Sequence, residues 1–564
     1  MERPQPTTTT HYIFVSGGVI SGVGKGLCAA SLGMLLKNRG YSVTSLKCEN
    51  YLNIDSGTIN PIEHGDPFLC EDGLEADMDL GTYERLLDQN MGQKNFITKG
   101  QIFKTIIDQE RSMFYQGEDV EDIPHVVDEI LKRIYDAGRG ADFCVIEIGG
   151  TAGEYQNVLY FEAARYLSVN MPGNVAHVHT TYVLVPNHLG EPKTKPTQMS
   201  VRTLMSMGIN PGFLILRSPV DMDERRRYLL SNYVGVKAEN IILAKDLSNI
   251  YELPIEFAKQ KFDEKILNYF NLPLGSADLT EWNKLITKVT TKYESKVTIA
   301  IVGKYLSKHQ GDFQVTDAYH ALIESLKHAS WQSEIGLELK LIDSNNYTDD
   351  FGNQFENVDG IIVPIGWGER GVEGKITAIK YAREKKVPYV GLCYGMQLAC
   401  VEFARNVLGL SDANTEEINP GVKDLVIHSI PFNKKYQVIK GEGVSMRLGA
   451  YDCVLKKGTL AYSIYEKHQE FKDQDKGLIS ERHRHRFEFN NDYREIFEKN
   501  GFVFSGTSPD NFFVEYIELP HDQHPFFIAT QAHPEYKSRP TNPHPLFIEL
   551  FNAAHQYKSI KLTH

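Results

Sequence analysis

The sequence has no long hydrophobic run and no excess of positive charge, and each absence excludes a class of protein. No stretch of about 18 or more apolar residues occurs, so we expect no membrane-spanning helix. The opening MERPQPTTTT lacks the apolar core of a signal peptide and predicts a short disordered extension over residues 1–10. The formal net charge of −13 argues against a nucleic-acid-binding protein, which needs a basic surface. We therefore expect a cytoplasmic protein without nucleic-acid or membrane partners.

Paired cysteines are also missing. The seven cysteines are scattered without a C-x-x-C pair, which fits a reducing compartment and provides no zinc-binding spacing. The composition is that of an ordinary globular protein, with 41% hydrophobic and 24% charged residues. A chain of 564 residues is too long for one core, and length alone suggests roughly three to four domains.

Short, almost wholly apolar runs occur in two series separated by a charged stretch. Such runs, alternating with helical patterns, are typical of buried strands in a parallel sheet with helices on both faces. We predict an α/β fold with two doubly wound parallel-sheet domains, residues 11–274 and 297–564, joined by a linker over residues 275–296. The predicted strands are 143–148, 182–185, 213–216 and 241–243 in the first domain and 297–302, 339–342, 361–363 and 389–392 in the second.

A cysteine at the end of a predicted strand marks the second domain. In VGLCYGMQ, Cys393 stands between Gly391 and Gly395, and a helical pattern follows. Small neighbours permit the sharp strand-to-helix turn that exposes a nucleophile, and a helix N-terminus stabilises a thiolate. The later stretch QAHPEY supplies a base and an orienting acid, His533 and Glu535, which point the same way if the segment is extended.

A third element is the glycine-rich loop VPIGWGERG at residues 363–371, whose backbone N–H groups suit an oxyanion. A lone cysteine after a strand is usually a small core residue, but the three elements together, in this order, favour a nucleophile. This half resembles a class I glutamine amidotransferase, with Gly-x-Cys-x-Gly-x-Gln and a later His-Pro-Glu. That family cleaves glutamine through a cysteinyl thioester and releases ammonia.

The first domain opens with the turn SGGVISGVGKG at residues 16–26, after an apolar run. Its strand–turn–helix setting suits a phosphate loop, to which Lys25 adds a positive charge. The spelling departs from G-x-x-x-x-G-K-[ST], because Val19 replaces the first glycine and Gly26 offers no hydroxyl to a magnesium ion. Lys47 ends the next predicted strand, and two lysines at strand ends suit a triphosphate. On these residues alone, a phosphate site and a plain tight turn are equally supported.

Acidic and basic stretches follow this turn. Glu147 lies in the otherwise apolar strand 143–148, where an unpaired acid is costly and a carboxylate suits Mg²⁺. The run EDGLEADMDLG at 71–81 is rich in acids, a pattern that is more often a solvated surface loop. The stretch GEPKTKPTQ at 190–198 suits a second phosphate chain, although by itself it is a surface turn.

From about residue 11 to residue 552 the chain resembles the CTP synthase family, glutamine-dependent enzymes that aminate UTP. The resemblance rests on the order and joint presence of YIFVSGGVISGVGKG, NIDSGTINPIEHG, DMDLGTYER, IEIGGTAGE, KTKPTQ, GVEGKIT, GLCYGMQ, SMRLGA, ERHRHRFEFNN and QAHPEY. It implies an N-terminal P-loop-like amidoligase (synthetase) domain that binds ATP and UTP, and a C-terminal class I glutaminase domain. ATP would phosphorylate O4 of UTP, and ammonia from L-glutamine would displace the phosphate. The family also implies Mg²⁺, activation by GTP, inhibition by CTP, and a homotetramer that can stack into filaments.

The resemblance assigns residues as well. It implies Cys393 as the nucleophile with His533 and Glu535 as partners, and Asp79 and Glu147 as Mg²⁺ ligands. Contacts with glutamine fall on Gly366, Tyr394, Gly395, Met396, Gln397, Glu417 and Arg486. Contacts with ATP and UTP fall on Ser21, Gly22, Val23, Gly24, Lys25, Gly26, Lys47, Asp79, Glu154, Tyr155, Gln156, Lys193, Thr194, Lys195, Pro196, Thr197, Gln198 and Arg227.

Several positions depart from the family pattern, and they concern regulation more than catalysis. Glu154 and Gln156 stand where the family has acids that sense the nucleotide, so CTP feedback is in question. The stretch VEDIPH at 120–125 adds acids, and an insertion falls near 307–315. Two other hypotheses stay open at this point. One is a different two-domain amidotransferase, such as a cobyrinate-type amide ligase, and the other is a diverged paralogue kept as a filament or regulatory subunit.

Overall fold

The computed structural model describes residues 9–61, 65–186, 188, 190–306, 317–429, 438–440 and 444–563. The predicted insertion at 307–315 and residues 1–8 of the predicted extension lie outside the described residues. Thr10 is described and buried, and its hydroxyl donates to the carbonyl oxygens of Gly138 (3.1 Å) and Ala141 (2.8 Å). Within the described part of the chain, no helix is both long and apolar enough to cross a membrane.

The strands follow the chain in short segments, most of them buried. They are β1 (His11–Gly18), β2 (Val43–Glu49), β3 (Phe68–Leu69), β4 (Glu75–Ala76), β5 (Phe96–Thr98), β6 (Phe143–Ile148), β7 (Val175–Tyr182), β8 (Phe213–Ser218), β9 (Ile241–Lys245), β10 (Lys296–Gly303), β11 (Gly336–Asp343), β12 (Gly360–Val363), β13 (Tyr389–Leu392), β14 (Asn414–Thr415), β15 (Leu425–Ser429), β16 (Val438–Lys440), β17 (Val444–Leu455), β18 (Leu478–His485), β19 (Phe487–Phe489), β20 (Val503–Thr507), β21 (Val514–Glu518) and β22 (Phe527–Thr530).

The α-helices separate the parallel strands, as the alternating pattern predicts. They are α1 (Lys25–Asn38), α2 (Asp79–Leu87), α3 (Lys99–Arg111), α4 (Val127–Gly138), α5 (Val158–Asn170), α6 (Lys195–Ser206), α7 (Glu224–Val234), α8 (Leu253–Lys259), α9 (Phe262–Tyr269), α10 (Thr280–Thr290), α11 (His320–Ser333), α12 (Val372–Lys385), α13 (Tyr394–Asn406), α14 (Leu460–His468), α15 (Arg494–Lys499) and α16 (Pro545–Thr563).

The chain forms two compact units. The first contains Met1–Thr58 and Asp79–Thr287, and the second contains Ile59–Met78 and Lys288–His564. Residues 59–78, which the sequence analysis put in the first domain, therefore pack with the second unit. The predicted linker 275–296 contains α10, and Trp282 of this helix donates from Nε1 to the Tyr251 carbonyl oxygen (3.0 Å) within the first unit.

The first unit is built on a seven-stranded sheet in the order β5-β2-β6-β1-β7-β8-β9. All of its neighbouring strands run parallel. Strands β2, β5 and β6 lie on one side of β1, and β7 to β9 lie on the other. In such a sheet ligands bind outside the carboxyl ends of the strands, where the direction of strand addition reverses. The turn after β1 therefore occupies the position expected of a binding loop.

The second unit contains a ten-stranded sheet with a parallel part, β11-β10-β12-β13-β22, and an antiparallel part that continues through β21, β20 and β17. Strands β13 and β22 pair in parallel, with Leu392 opposite Thr530. Because both strands end at the same edge, Cys393 and the segment that leads to His533 leave the sheet side by side.

The α/β class with two parallel-sheet domains is confirmed, and the strands β6 and β13 have the predicted bounds. The prediction of a strand at 182–185 is wrong, since β7 spans Val175–Tyr182. This strand carries the buried polar residues His177, His179, Thr180 and Thr181, which interrupt the apolar run that marks a buried strand in the sequence.

Buried neutral histidines make the first unit sensitive to acid. His177 Nε2 lies 2.7 Å from Ser168 Oγ, and its ring stacks on Phe14 with centroids 5.4 Å apart. Burial lowers the pKa of His177 to about 4. A histidine in the unfolded chain titrates near 6.5, so between these values the unfolded state binds a proton that the folded state does not. Stability contributed by His177 is therefore present at neutral pH and lost as the pH falls below about 6.5.

We predict that acidification from about pH 7.5 to about pH 5.5 lowers the melting temperature, and that His177→Gln removes part of this loss. The expected contribution of His177 to this loss is about 1.4 kcal/mol of unfolding free energy for each pH unit below the pKa of histidine in the unfolded chain. Melting curves at the two pH values test this, with His188→Gln, a change at an exposed histidine of the same unit, as the control. Equal acid sensitivity of wild type and the His177 variant would contradict a neutral buried ring.

Candidate functional sites

Cys393 occupies a strained turn between β13 and α13. Its backbone φ is +52° and its ψ is −100°, a conformation that costs a non-glycine residue about 1–3 kcal/mol. The Cys393 N–H donates to the Thr530 carbonyl oxygen (2.8 Å), and the Cys393 carbonyl oxygen accepts from the Met396 N–H (3.0 Å). Gly395 packs so closely on β12 that a Cβ there would lie 1.9 Å from the Val363 carbonyl oxygen. The sequence thus folds locally into the turn expected of a nucleophile.

The base predicted for Cys393 is accompanied by its acid. His533 Nδ1 lies 2.7 Å from Glu535 Oε1, and both side chains are buried. Among the described residues His533 Nε2 has no hydrogen-bonded nitrogen or oxygen, so this nitrogen is left for the cysteine sulfur. The contact does not arise from an extended segment, because Pro534–Tyr536 forms a 3₁₀ turn.

Electrostatics at this site favour a charged imidazole. Burial opposes the charge on His533, but the Glu535 carboxylate and the Cys393 sulfur favour it and raise the pKa of His533 to about 10. An imidazolium at neutral pH stabilises a neighbouring thiolate, the reactive form of cysteine.

Gln531 is a site residue that the sequence analysis missed. Its Nε2 lies 3.6 Å from Cys393 Sγ, and its Oε1 accepts from Gln397 Nε2 (3.2 Å). Gln397 in turn donates to the Phe487 carbonyl oxygen (2.9 Å). An amide two residues before a histidine has no fixed role, so no pattern in the sequence singled it out.

The glycine-rich loop after β12 contacts the cysteine turn. A Cβ on Gly366 would lie 3.1 Å from the Tyr394 ring, and the Tyr394 hydroxyl donates to the Gly368 carbonyl oxygen (2.9 Å). The Gly368 N–H donates to Glu417 Oε1 (2.9 Å). Burial raises the pKa of Glu417, while the Gly368 N–H, Lys304 and Arg486 oppose the rise. The predicted residues Gly366, Tyr394, Glu417 and Arg486 thus belong to one neighbourhood.

The other predicted glutamine residues differ in orientation. Arg486 is exposed, with its guanidinium carbon 5.9 Å from the centroid of the Trp367 ring. The side chain of Met396 lies in the apolar core, so only its backbone is available to a ligand.

Residues 59–78 bring acidic side chains to the second unit. Glu75 Oε1 accepts from Arg484 Nε (2.5 Å), and Asp66 Oδ2 accepts from the Tyr536 hydroxyl (2.8 Å). The Tyr536 ring stacks on His533 with centroids 5.3 Å apart. Part of the acidic run 71–81 is therefore not a solvated loop but pairs with an arginine of β18.

The predicted phosphate loop joins β1 to α1 in the first unit. Gly24 takes φ +84° at the N-cap of α1, and a Cβ there would lie 2.5 Å from Arg217 Nη1. Lys25 Nζ donates to the Gly150 carbonyl oxygen (2.9 Å). Burial lowers the pKa of Lys25, and the Glu147 carboxylate opposes this effect. The remaining predicted loop residues are exposed at Ser21 and Gly22 and buried at Val23 and Gly26.

The two predicted metal ligands meet beside this loop. Lys47 Nζ lies 2.6 Å from Asp79 Oδ2 and 2.8 Å from Glu147 Oε1. A Cβ on Gly26 would lie 3.0 Å from Glu147 Oε2 and 3.2 Å from Asp79 Oδ1, so both carboxylates share the space over Gly26. Carboxylate oxygens are the donors that Mg²⁺ prefers, and these residues fit the ion. No group of three or more His, Cys, Asp or Glu side chains suited to a metal occurs among the described residues.

The predicted basic loop is partly a helix. Lys195 is the first residue of α6 and Pro196 lies in its first turn, where exposed N–H groups attract anions. Gln198 Nε2 donates to the Thr194 hydroxyl (3.2 Å), while Lys193 forms an exposed ion pair with Glu191. Thr197, the remaining residue of the segment, is buried.

Three more predicted nucleotide residues follow β6. Glu154 Oε1 accepts from the N–H (2.8 Å) and the hydroxyl (2.7 Å) of Thr151, so this carboxylate turns back on its own loop. Tyr155 is 97% exposed, and Gln156 is exposed beside it. Arg227 lies on α7. The pKa of Lys265 is lowered by the burial of this lysine and, to a smaller extent, by the charge of Arg227.

A buried histidine links the phosphate loop to α6, and sequence reasoning did not find it. His179 Nδ1 lies 2.8 Å from Ser16 Oγ, and its Nε2 lies 2.8 Å from Ser200 Oγ. Burial, with Lys25 adding to the effect, lowers the pKa of His179 to about 3, so the ring is neutral. One imidazole therefore ties the strand before the loop to the helix that begins with Lys195.

Comparison with known proteins accounts for both units. Residues 11–272 match the family model described as CTP synthase N-terminus, and residues 314–553 match glutamine amidotransferase class-I. The CTP synthases of Halalkalibacterium halodurans and Pyrococcus abyssi are each 44% identical to this chain, over 97% and 98% of it and 99% of their own lengths. A solved glutaminase domain of Trypanosoma brucei CTPS with bound acivicin is 33% identical, covering 46% of this chain and 94% of its own, with a TM-score of 0.40.

The fold and the cysteine site define a glutamine amidotransferase joined to a nucleotide-binding α/β unit. The near full-length identity to curated relatives goes further, and the chain belongs to the CTP synthase family. Its reaction is the glutamine-dependent formation of CTP from UTP by a glutamine-hydrolysing C–N ligase. This membership replaces the hypothesis of a cobyrinate-type amide ligase.

We predict that Glu535→Gln slows the alkylation of Cys393 by iodoacetamide at neutral pH by roughly 10-fold or more. Without the carboxylate the pKa of His533 falls, so the ring is less often charged and stabilises less thiolate. Alkylation rates across pH, read by mass spectrometry of the Cys393 peptide, measure this effect.

The control is Glu549→Gln, which removes a carboxylate 2.8 Å from His468 in the same unit but away from the cysteine turn. It is expected to leave the alkylation rate unchanged. A Glu535 variant with the wild-type rate at every pH would contradict the stabilising role of this acid.

Proposed function

We propose that the second unit supplies ammonia by hydrolysing glutamine at Cys393, and that the first unit uses ATP to activate O4 of UTP. In this proposal residues 11–274, apart from 59–78, form the amidoligase domain, 297–564 the glutaminase domain and 275–296 the connection. The observation that carries the proposal is the arrangement of Cys393, His533 and Glu535. Nδ1 of His533 lies 2.7 Å from Glu535 Oε1, and Nε2 of His533 has no hydrogen-bonded nitrogen or oxygen among the described residues, so it is available to the Cys393 sulfur. A thioester route needs such a nucleophile, base and orienting acid.

In the glutaminase reaction the Cys393 sulfur attacks the side-chain amide carbon of glutamine. The C–N bond breaks as His533 passes a proton to the leaving ammonia, and a thioester remains. His533 then takes a proton from water, which attacks the thioester and releases glutamate and the free cysteine. We assign stabilisation of both oxyanions to the N–H groups of Gly366 and of Tyr394 at the N-terminus of α13.

For recognition of glutamine we propose charge pairing at its α-carbon. Arg486 would hold the carboxylate and Glu417 the ammonium group, while Gly366, Tyr394, Gly395, Met396 and Gln397 would line the path of the side chain. The support is electrostatic, because burial raises the pKa of Glu417 and the Arg486 guanidinium opposes this rise, so a positive and a negative group act on one another in this neighbourhood.

For the first unit we propose that the phosphates of ATP lie over the N-terminus of α1, beside Lys25 and Lys47. Asp79 and Glu147 would hold Mg²⁺, which when bound offsets phosphate charge and aligns the transferred group. The γ-phosphoryl group passes to O4 of UTP, ADP leaves, and ammonia then attacks C4 and displaces phosphate. The absence of a side chain on Gly26 supports this, since it leaves room beside both carboxylates.

For UTP we propose contacts from the start of α6, with Lys193, Lys195 and Gln198, and from Arg227. GTP is proposed as an activator and CTP as an inhibitor whose control is altered here, because Glu154 and Gln156 stand where the family has the acids that sense the nucleotide. A homotetramer that stacks into filaments completes the proposal, together with a cytoplasmic location.

We predict that Cys393→Ala abolishes glutamine-dependent CTP formation, by at least about 10³-fold, and leaves ammonia-dependent CTP formation unchanged. The reason is that the sulfur serves only to release ammonia. CTP formation from UTP and ATP with either nitrogen source measures this, and Cys400→Ala, a change at a buried cysteine of the helix α13 that follows Cys393, is the matched control. Loss of the ammonia-dependent reaction in the Cys393 variant alone would overturn the two-site division.

We predict that Glu147→Gln impairs both reactions by about 10²-fold or more and raises the Mg²⁺ concentration needed for half-maximal CTP formation. A neutral amide is a poorer Mg²⁺ ligand and leaves Lys47 with one acid fewer. Glu129→Gln is the control, since its carboxylate pairs with Arg133 (2.7 Å) in the same unit. A wild-type Mg²⁺ requirement in the Glu147 variant would remove this residue from the proposed ligands.

A further inference from the structure

Lys375 is fully buried in the second unit, yet no acid faces it in the described part of the chain. Its Nζ donates to two consecutive carbonyl oxygens, those of Pro364 (2.8 Å) and Ile365 (3.2 Å). The ammonium also lies 5.3 Å from the centroid of the Tyr394 ring. Both partners of this lysine are therefore backbone groups of the glycine-rich loop.

Stability alone does not account for this residue. Burial lowers the pKa of Lys375 well below its usual range and Lys304 lowers it further, while the Cys393 sulfur opposes the shift. A buried amine without an acid is costly, and apolar side chains of similar size are often as stable or more stable in such places. Methionine has nearly the length of lysine and would fill the same space, so the hydrogen bonds of Lys375 to the loop call for another explanation.

Peptide geometry supplies one. A trans peptide is planar, with its C=O and N–H pointing in opposite directions. When Lys375 holds the carbonyl oxygens of Pro364 and Ile365, the N–H groups of Ile365 and Gly366 must point away from the lysine. The loop continues in the same way, because Lys304 donates to the carbonyl oxygens of Trp367 and Gly368.

The N–H groups of this loop face other partners. The Gly368 N–H donates to Glu417 (2.9 Å), whereas the Gly366 N–H has no acceptor among the described residues. A Cβ on Gly366 would lie 3.0 Å from Lys375 Nζ and 3.1 Å from the Tyr394 ring, so this peptide lies between the lysine and the residue that follows the nucleophile. The Gly366 N–H is therefore free to serve an oxyanion formed at Cys393.

We propose that Lys375 is a positioning residue for glutamine hydrolysis, because its hydrogen bonds to Pro364 and Ile365 keep the Gly366 N–H turned toward the oxyanion. This inference rests on the proposed role of Cys393. If the peptide between Ile365 and Gly366 flipped, a carbonyl oxygen would face the oxyanion in place of a donor. Lys375 opposes that flip from the side of the loop away from the substrate.

The test is Lys375→Met in the full-length enzyme, compared with Lys380→Met, an exposed lysine on the same helix. Loss of an oxyanion donor costs about 10²–10³-fold in kcat, so loss of its positioning is expected to lower kcat for glutamine hydrolysis by about 10- to 100-fold. KM for glutamine is expected to stay within about threefold, because the loop donor acts mainly in the transition state. Ammonia-dependent CTP formation and the melting temperature are expected not to fall.

A glutamine analogue with an aldehyde in place of the amide provides the second readout. Its adduct with the cysteine carries an oxygen where the oxyanion forms, so its inhibition constant should rise by about the same factor as kcat falls. The rate of Cys393 alkylation by iodoacetamide should change far less than kcat, because both hydrogen bonds of Lys375 go to the loop, although the Cys393 sulfur acts on the pKa of this lysine. Lys375→Gln, which keeps N–H donors on a shorter side chain, should fall between wild type and Lys375→Met in kcat.

Three results would overturn the inference: an unchanged kcat in Lys375→Met, a lower kcat with unchanged aldehyde inhibition, or alkylation slowed as much as kcat, which would mean that the lysine acts mainly on the thiolate. A merely structural role would instead lower the melting temperature together with every activity of the second unit. The Cys393→Ala variant, assayed in parallel, distinguishes a failure of the role proposed for Lys375 from a failure of the role proposed for Cys393. If it still hydrolysed glutamine, the proposed function itself would fail.

Discussion

The positive φ of Cys393 is the constraint on which the second unit depends. A residue with a φ of +52° neither continues a strand nor begins a relaxed helix. The chain on each side of it must therefore be held in place by contacts with other segments. The parallel pairing of β13 with β22 does this, because the Cys393 N–H bonds to Thr530 just past the last paired residues. The chain that leaves Thr530 then reaches Gln531 and His533 within three residues. The same strand pairing therefore holds the strain and brings His533, the proposed base, to the same edge of the sheet as Cys393.

The two units compensate buried lysines in different ways, and the difference suits their ligands. In the first unit Lys47 faces three carboxylates, those of Asp79 (2.6 Å), Glu147 (2.8 Å) and Glu49 (3.3 Å), so full charges meet full charges. In the proposed function such a cluster would exchange one charged partner for another when phosphate or a metal ion binds. In the second unit Lys304 and Lys375 are met by backbone carbonyl oxygens, whose dipoles only partly balance the charge. These bonds fix the direction of the neighbouring peptide groups. An oxyanion that forms briefly when the substrate amide is attacked needs N–H donors that are held in this way.

The sequence predicted those parts of the fold and site that depend on residues adjacent in the chain, such as apolar runs. Strands β6 and β13 are almost continuous apolar runs, so their bounds could be predicted directly, and Glu147 and Cys393 stood out as candidates at these strands. The strand β7 was misplaced, because buried polar residues such as His179 break the run by which such strands are recognised. Gln531 and Lys375 were missed for a related reason. Their importance comes from partners that are distant in sequence or belong to the backbone, and neither kind of partner leaves a periodic signal.

The acidic run at 71–81 shows why composition alone could not settle the site. A dense group of acids reads as a solvated loop, because burying several like charges together is costly. In the structure the acids of this run are divided between the two units, because the chain passes from the second unit to the first after Met78. The like charges are therefore not all buried together. Glu75 pairs with Arg484 at 2.5 Å in one unit, and Asp79 pairs with Lys47 at 2.6 Å in the other. Each of these acids is thus paired with a cation of its own unit. Their roles are set by those cations, which lie far away in the sequence, and not by the neighbours that made the run look like a surface loop.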